Sequence, residues 1–346
     1  MEYKIDDQFM LDCLKELINT PSPVSYYEEI NPVIEKYGAM LGQTVTYDRK
    51  HTAYITLEGE DNSKTVMVGG HLDTIGMIVR KIDDDGCLRI RQLGGQNFYS
   101  LDGETVYVVT REGKKYSGLM VCQSHSTHVF DDARSLERNE TTMLISLDED
   151  VHTKEEVLAL GIRHGDLIYP EPHFQYTEKG YVKSRFLDDK AAVAAILAMV
   201  KCLKDQDLKP KYRTILAFPH YEEIGHGGAY IPPEVEEFVA VDIGLIGPDY
   251  DGNEKTVSIC CKDFATPYDR ELTTRLINQA GKAECDYAVD IFYRYGTDGS
   301  AALKCGNNVY AAAFGMPVYG SHGIERTHLK GLQNTAKLIT AYVMDL

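Results

Sequence analysis

Apolar positions recur at helical spacing over residues 5–19, where Phe9, Leu11, Leu14, Leu17 and Ile18 fall together, and the run stops before Thr20-Pro21-Ser22-Pro23. A second helix is predicted over 27–41, followed by short β-branched or aromatic runs at 44–47, 53–57 and 65–68 that read as strands. The texture changes after about Gly76. From there to about Pro170, strand-like pieces at 77–82, 88–91, 105–110, 118–122 and 142–146 are separated by turn signals such as Asp85-Gly86 and Gly94-Gly95. Strands at such close intervals predict a small β barrel or sandwich, interrupted by one helical piece at 154–160. Alternation of strand and helix then resumes. A run at 191–203, apolar on nearly every face, predicts a buried helix. Strands at 214–218, 238–241, 257–261 and 309–314 read as buried, with helices at 268–280 and 329–344 to cover them.

The simplest organisation is α/β, with a mixed central sheet in a three-layer domain made of residues 1–75 and 171–346 and a barrel-like β domain inserted at 76–170. A chain of 346 residues exceeds what one core usually supports, which agrees with two domains. Composition then narrows the partners. A net charge of −17 argues against nucleic acid, whose phosphates need a basic surface. The longest apolar run, 191–200, is about half the length of a membrane span, and the start shows no signal-peptide pattern. Eight scattered cysteines with no CxxC pair predict reduced thiols and hence the cytoplasm.

Five segments carry candidate chemistry. Val68-Gly69-Gly70-His71-Leu72-Asp73-Thr74 ends a buried strand in two glycines and a His-x-Asp. Here His71 offers an imidazole nitrogen and Asp73 can orient it; a turn histidine with a capping aspartate fits about as well. Arg185-Phe186-Leu187-Asp188-Asp189-Lys190 precedes the buried helix, with Asp189 the better helix cap and Asp188 the better metal ligand. The apolar run 214–218 leads into Pro219-His220-Tyr221-Glu222-Glu223-Ile224-Gly225, where one glutamate can bind metal while its neighbour handles a proton. An exposed acidic loop is the competing reading there. Asp242 follows an apolar strand, where an acid is costly to bury unless paired or metal-bound. His322 sits in the tight turn Tyr319-Gly320-Ser321-His322-Gly323, while His328 reads as a helix-start residue. Oxygen and nitrogen donors without sulfur suit Zn²⁺, Co²⁺ or Mn²⁺, and so many ligands suit two ions sharing a carboxylate.

The order His-x-Asp, Asp-Asp, Glu-Glu, Asp, His resembles the dinuclear zinc/cobalt exopeptidases. The inserted β domain after His-x-Asp, the Glu222-Glu223-Ile224-Gly225 turn and Gly296-Thr297-Asp298-Gly299 are similar to metallopeptidase family forty-two, the TET-type and glutamyl aminopeptidases. That resemblance spans essentially the whole chain. It implies release of N-terminal residues from peptides by metal-activated water. By position it implies His71 and Asp242 on one ion, Glu223 and His322 on the other, Asp188 bridging, Glu222 as general base and Asp73 orienting His71. It also implies self-association, into dimers through the inserted domain and further into tetrahedral dodecamers. Thr74, Lys190, His220-Tyr221 and Tyr319-Gly320-Ser321 depart from the family's usual residues, and the expectation is that these departures fall where substrate is held. Two other readings compete: a related deacylase or dipeptidase acting on a small amide, and a non-catalytic metal-binding scaffold, which the presence of Glu222 disfavours.

Overall fold

The computed structural model describes residues 3–345. These residues form two compact units, one of residues up to Asp73 together with those from His173 onward, the other running from Thr74 to Pro172. The first unit opens with α1 (Asp7–Asn19), α2 (Ile30–Leu41), β1 (Val45–Tyr47), β2 (Ala53–Leu57) and β3 (Asp61–Gly69). Asp6 caps α1 by accepting from Phe9 N, and Gly42 closes α2 in the left-handed conformation that glycine adopts without steric cost.

The second unit contains β4 (Gly76–Ile82), β5 (Leu88–Leu93), β6 (Glu104–Val109), β7 (Lys115–Cys122), β8 (Met143–Leu147), α3 (Lys154–Ala159) and β9 (Leu167–Pro170). Six strands close a barrel in the order β4-β5-β8-β7-β6-β9. Its interior is filled by Met77, Val79, Leu88, Ile90, Val106, Val108, Met120, Ile145 and Ile168. The apolar–polar pattern passed over β9, which is only four residues long and ends in proline, yet it is the strand that joins β4 to β6.

The first unit resumes with β10 (Gln175–Tyr176), β11 (Tyr181–Ser184), α4 (Leu187–Asp205), β12 (Tyr212–Phe218), β13 (Val235–Val241), β14 (Gly244–Leu245) and β15 (Val257–Lys262). It ends with α5 (Arg270–Lys282), β16 (Tyr287–Ile291), α6 (Asp298–Lys304), β17 (Tyr310–Gly315), β18 (Pro317–Val318), β19 (Glu325–His328) and α7 (Leu329–Val343). An eight-stranded mixed sheet runs β1-β2-β12-β3-β13-β17-β15-β16. Its central strands β12, β3, β13 and β17 are mutually parallel, which explains their near-continuous apolar runs: both faces are buried. From one face Met67, Ile215, Ala217, Phe238, Ala240, Ala311 and Ala313 form a cluster with Ala302 of α6. Helix α4, buried from Leu187 to Val200, packs against α1 and α7. The fold is thus α/β, three-layered, with a separate barrel.

Two expectations change. Asp189 does not cap α4; its carboxylate accepts from His71 N at 3.1 Å, and Asp188 and Asp189 have non-helical backbone angles. Nor do the departing residues gather around substrate. Lys190 is fully buried and donates to Thr20 O at 2.7 Å, and buried His220 bonds Asn31 Oδ1 at 2.8 Å. Of these positions, Ser321 is the one that lines the central cavity among the described residues.

Candidate active site

Strands β12, β3, β13 and β17 point the same way, so their carboxyl ends share one edge of the sheet. Open α/β sheets bind ligands at that edge. Beyond β3 comes His71, beyond β12 come Glu222 and Glu223, directly after β13 comes Asp242, and the turn after β18 carries His322. Asp188 enters from the first turn of α4. Residues scattered over some 250 positions of sequence therefore converge because parallel strands end together.

The convergence is close. His71 Nε2 lies 3.1 Å from Asp188 Oδ1, and His322 Nε2 lies 3.4 Å from Asp188 Oδ2 and 3.6 Å from Glu223 Oε2. Donor atoms of His71, Asp188 and Glu223 fall within 4.8 Å of one another, as do those of His71, Asp189 and Asp242. Glu222 approaches from the side, its Oε2 3.7 Å from His71 Nε2. Asp73 orients the group in an unexpected way. Its backbone oxygen is the nearer partner of His71 Nδ1, at 2.9 Å against 3.4 Å for Oδ1. Its carboxylate accepts from Glu222 N and Glu223 N, each at 3.1 Å, and so holds the glutamate turn against the His-x-Asp segment.

Sequence reasoning took Asp189 for a helix cap and left Asp298 and Glu325 without a role. Asp189 holds His71 N as described. Asp298, the first residue of α6, accepts from Gly228 N at 2.5 Å. Added Cβ atoms on Gly227 and Gly228 would lie 2.4 and 2.3 Å from Asp298 atoms, which explains the glycine pair that follows the glutamates. Glu325 accepts from both Asp188 N and His322 N at 3.0 Å. The available signal was an acid three residues after a candidate ligand, in a tight turn. At the other end of the site, a Cβ on Gly315 would lie 1.8 Å from Asp242 O. Gly315→Ala is accordingly expected to push Asp242 out of the cluster and to lower stability by about 3 kcal/mol or more, measured by denaturant unfolding. A stability within experimental error of the parent protein would refute this account of Gly315.

Charge is stored here largely out of solvent. Burial, reinforced by neighbouring Asp188, pushes Asp242 up to about 7. Burial likewise pushes Glu223 up to about 8, against the pull of His322. Glu222 is raised well above the carboxylate range by burial, against the pull of His71 and with Asp242 and Asp298 adding to the rise. Against its own burial, Asp188 is held low by hydrogen bonds from His322 and His71. The two histidines are correspondingly raised despite burial, His322 to about 10. Carboxylates that hold protons this tightly are short of positive charge.

The residues fit divalent cations. Their donors are hard oxygens and imidazole nitrogens, no sulfur is among them, and the buried Asp189 Oδ1 has no hydrogen-bond partner. The cluster opens on a cavity of about 480 Å³ lined by Asp188, Glu222, Glu223, Asp242 and His322 together with Phe264, Arg294, Tyr295 and Lys304. Fold and cluster together define a metal-dependent hydrolase. Residues 52–338 match the M42 glutamyl aminopeptidase family, and the chain belongs to it.

The chain is 39% identical over 337 residues to YhfE of Bacillus subtilis (strain 168), a protein named as an aminopeptidase, with 97% of each chain covered. Among solved structures it is similar to the Pyrococcus horikoshii TET1 peptidase, described as assembling into a tetrahedron or a large octahedral shell (TM-score 0.82, 27% identity, 97% of this chain and 100% of that one). It also shares its fold with a TET aminopeptidase from a marine-sediment Thaumarchaeota archaeon (TM-score 0.87, 19% identity, 97% and 96% covered). The protein is a peptidase with aminopeptidase function, and its family implies divalent metal ions. No helix among the described residues is long and apolar enough to cross a membrane.

Proposed function

We propose that this chain is a dinuclear metallo-aminopeptidase, with His71 and Asp242 serving one ion, Glu223 and His322 the other, and Asp188 shared. The observation that carries this reading is the placement of Asp188, whose two oxygens face two different histidines at 3.1 and 3.4 Å. When bound, such ions supply Lewis-acid polarisation of the scissile carbonyl and acidify water. Zn²⁺ or Co²⁺ matches the donor set best, with Mn²⁺ also compatible.

Glu222 is the general base. It is largely buried, with 13% of its side chain exposed, lines the cavity, and has its proton affinity raised by its surroundings. It takes the proton of the attacking water as the O–C bond forms, and returns it to the leaving amine as the C–N bond breaks. Asp73 keeps Glu222 and Glu223 in place through their amides. A peptide's N-terminal residue enters the cavity, whose wall carries Phe264, Arg294 and Lys304, with Lys304 Nζ 4.5 Å over the Phe264 ring. Eight free cysteines support a reducing, cytoplasmic setting. Self-association into a closed shell is the assembly this reading carries over from the TET1 peptidase, and dimer contacts through the barrel unit are part of the same proposal.

The test is an assay of metal-reconstituted protein on aminoacyl anilides and on N-acylated amino acids. Cleavage of free-amine substrates is expected, and cleavage of blocked substrates alone would favour the deacylase reading. Within the anilide series, glutamyl is expected to exceed lysyl. Lys304→Glu should narrow that ratio by about two- to fivefold, the range of one exposed ion pair.

A further inference from the structure

We propose that Glu325 is a positioning residue, locking Asp188 and His322 into one frame; the proposal rests on the two-ion reading above. Glu325 is the first residue of β19 and is 1% exposed. Its two oxygens accept from two backbone amides, Oε2 from Asp188 N and Oε1 from His322 N, both at 3.0 Å. The amides belong to segments 134 residues apart in sequence, one at the start of α4 and one in a turn. A single rigid carboxylate therefore sets the spacing between them.

The surroundings hold Glu325 itself. Strand β19 pairs antiparallel with β11 so that Glu325 sits opposite Ser184, four residues before Asp188. Tyr319 and Arg326 exchange backbone hydrogen bonds of 2.8 and 2.9 Å, closing the turn from which His322 projects. In that turn His322 has φ +63°, a left-handed conformation that a non-glycine residue keeps only when its surroundings define it. The carboxylate on its N–H is such a definition. The same device recurs around the cluster, with Asp189 on His71 N and Asp73 on Glu222 N and Glu223 N. Glu325 completes it, so that every segment bearing a proposed ligand except Asp242 is tied by a buried carboxylate. Both Glu325 oxygens are committed to amides, which gives it the role of holding ligands rather than that of a ligand.

Glu325→Gln tests the proposal, because a carboxamide has one acceptor oxygen and turns an NH₂ toward the second amide. Thr327→Val is the control: Thr327 Oγ1 donates to Pro317 O at 2.9 Å from the same strand, fully buried, and touches no proposed ligand. Metal-stripped full-length proteins are titrated with Zn²⁺ against a competing chelator. Amide exchange is followed by mass spectrometry in metal-free protein over 186–190 and 320–324. E325Q is expected to bind Zn²⁺ about tenfold or more weakly and to exchange faster in both segments, while T327V keeps parental affinity despite a lower Tm. Should E325Q not fold, Glu325→Asp, which retains two acceptors on a shorter arm, is expected to show the same two changes in smaller measure. Parental affinity in the Glu325 variant, or equal weakening in T327V, overturns the proposal. If the parental protein itself takes up fewer than two ions, the two-ion reading fails, and exchange in metal-free protein decides Glu325 alone: unchanged rates at Asp188 and His322 overturn its role.

Discussion

Glu222→Gln is expected to lower kcat by about 10²–10⁴-fold while leaving the metal content unchanged. The substitution conserves volume and leaves the backbone N–H that Asp73 accepts, so the turn keeps its place. What it removes is the ionisable oxygen 3.7 Å from His71 Nε2, and with it the group proposed to carry a proton from water to the leaving amine. Because the loss is in a step and not in binding, KM should change little. The acid limb of the kcat–pH profile, if Glu222 governs it, should also disappear. Glu223→Gln makes the informative contrast, since it is expected to lose metal as well as turnover. Retention of more than about a tenth of the parental kcat by Glu222→Gln would remove Glu222 from the mechanism.

Stability should depend on pH differently with and without metal. In the metal-free protein Asp242 and Glu223 bind their protons more tightly folded than unfolded, up to about 7 and about 8. Their contribution is complete below the ordinary carboxylate range and is lost as pH rises through those values. His322 acts the same way, its contribution present below its ordinary value and lost as pH climbs toward about 10. Metal-free protein is therefore expected to melt at lower temperature as pH rises from about 5 to about 9. Divalent ions take the ionised carboxylates and neutral imidazoles as ligands, so their affinity rises over the same range. Ions at 1,000 times their Kd stabilise by about 4 kcal/mol per site. The gap between the two melting curves should widen steadily with pH. Calorimetry on stripped and reconstituted protein measures it; a metal-free Tm that rises with pH, or a gap that closes, would contradict the charge balance described for the cluster.

How much of this was written in the linear pattern differs from one element to the next. The continuous apolar runs of β3, β12, β13 and β17 and the all-round apolar face of α4 were legible, because burial on both faces leaves no polar position to obscure the signal. So was the change to closely spaced strands after about Gly76. Short pieces were not: β9, β16 and α6 span four, five and seven residues, too few for periodicity to separate them from loops. The candidate ligands His71, Asp188, Glu223, Asp242 and His322 could be named from sequence, since each is a polar residue placed at the end of an apolar run or at a glycine turn. Asp189 read as a helix cap, and Asp298 and Glu325 received no role, because the partners of all three are backbone amides on distant segments.

The sequence by itself therefore determined the class of fold, the donor types and the family. Those depend on local spacing and on which residue types are present. Tertiary structure alone decided which oxygen faces which nitrogen. It made Asp73 a clamp on the glutamate turn and sent Asp189 to His71 N instead of its own helix. It buried Lys190 and His220 in the core, away from the cavity. The physical reason is that four parallel strands end at one edge. Carboxylates distant in sequence meet there largely shielded from solvent, where each must find an amide, a histidine or a cation.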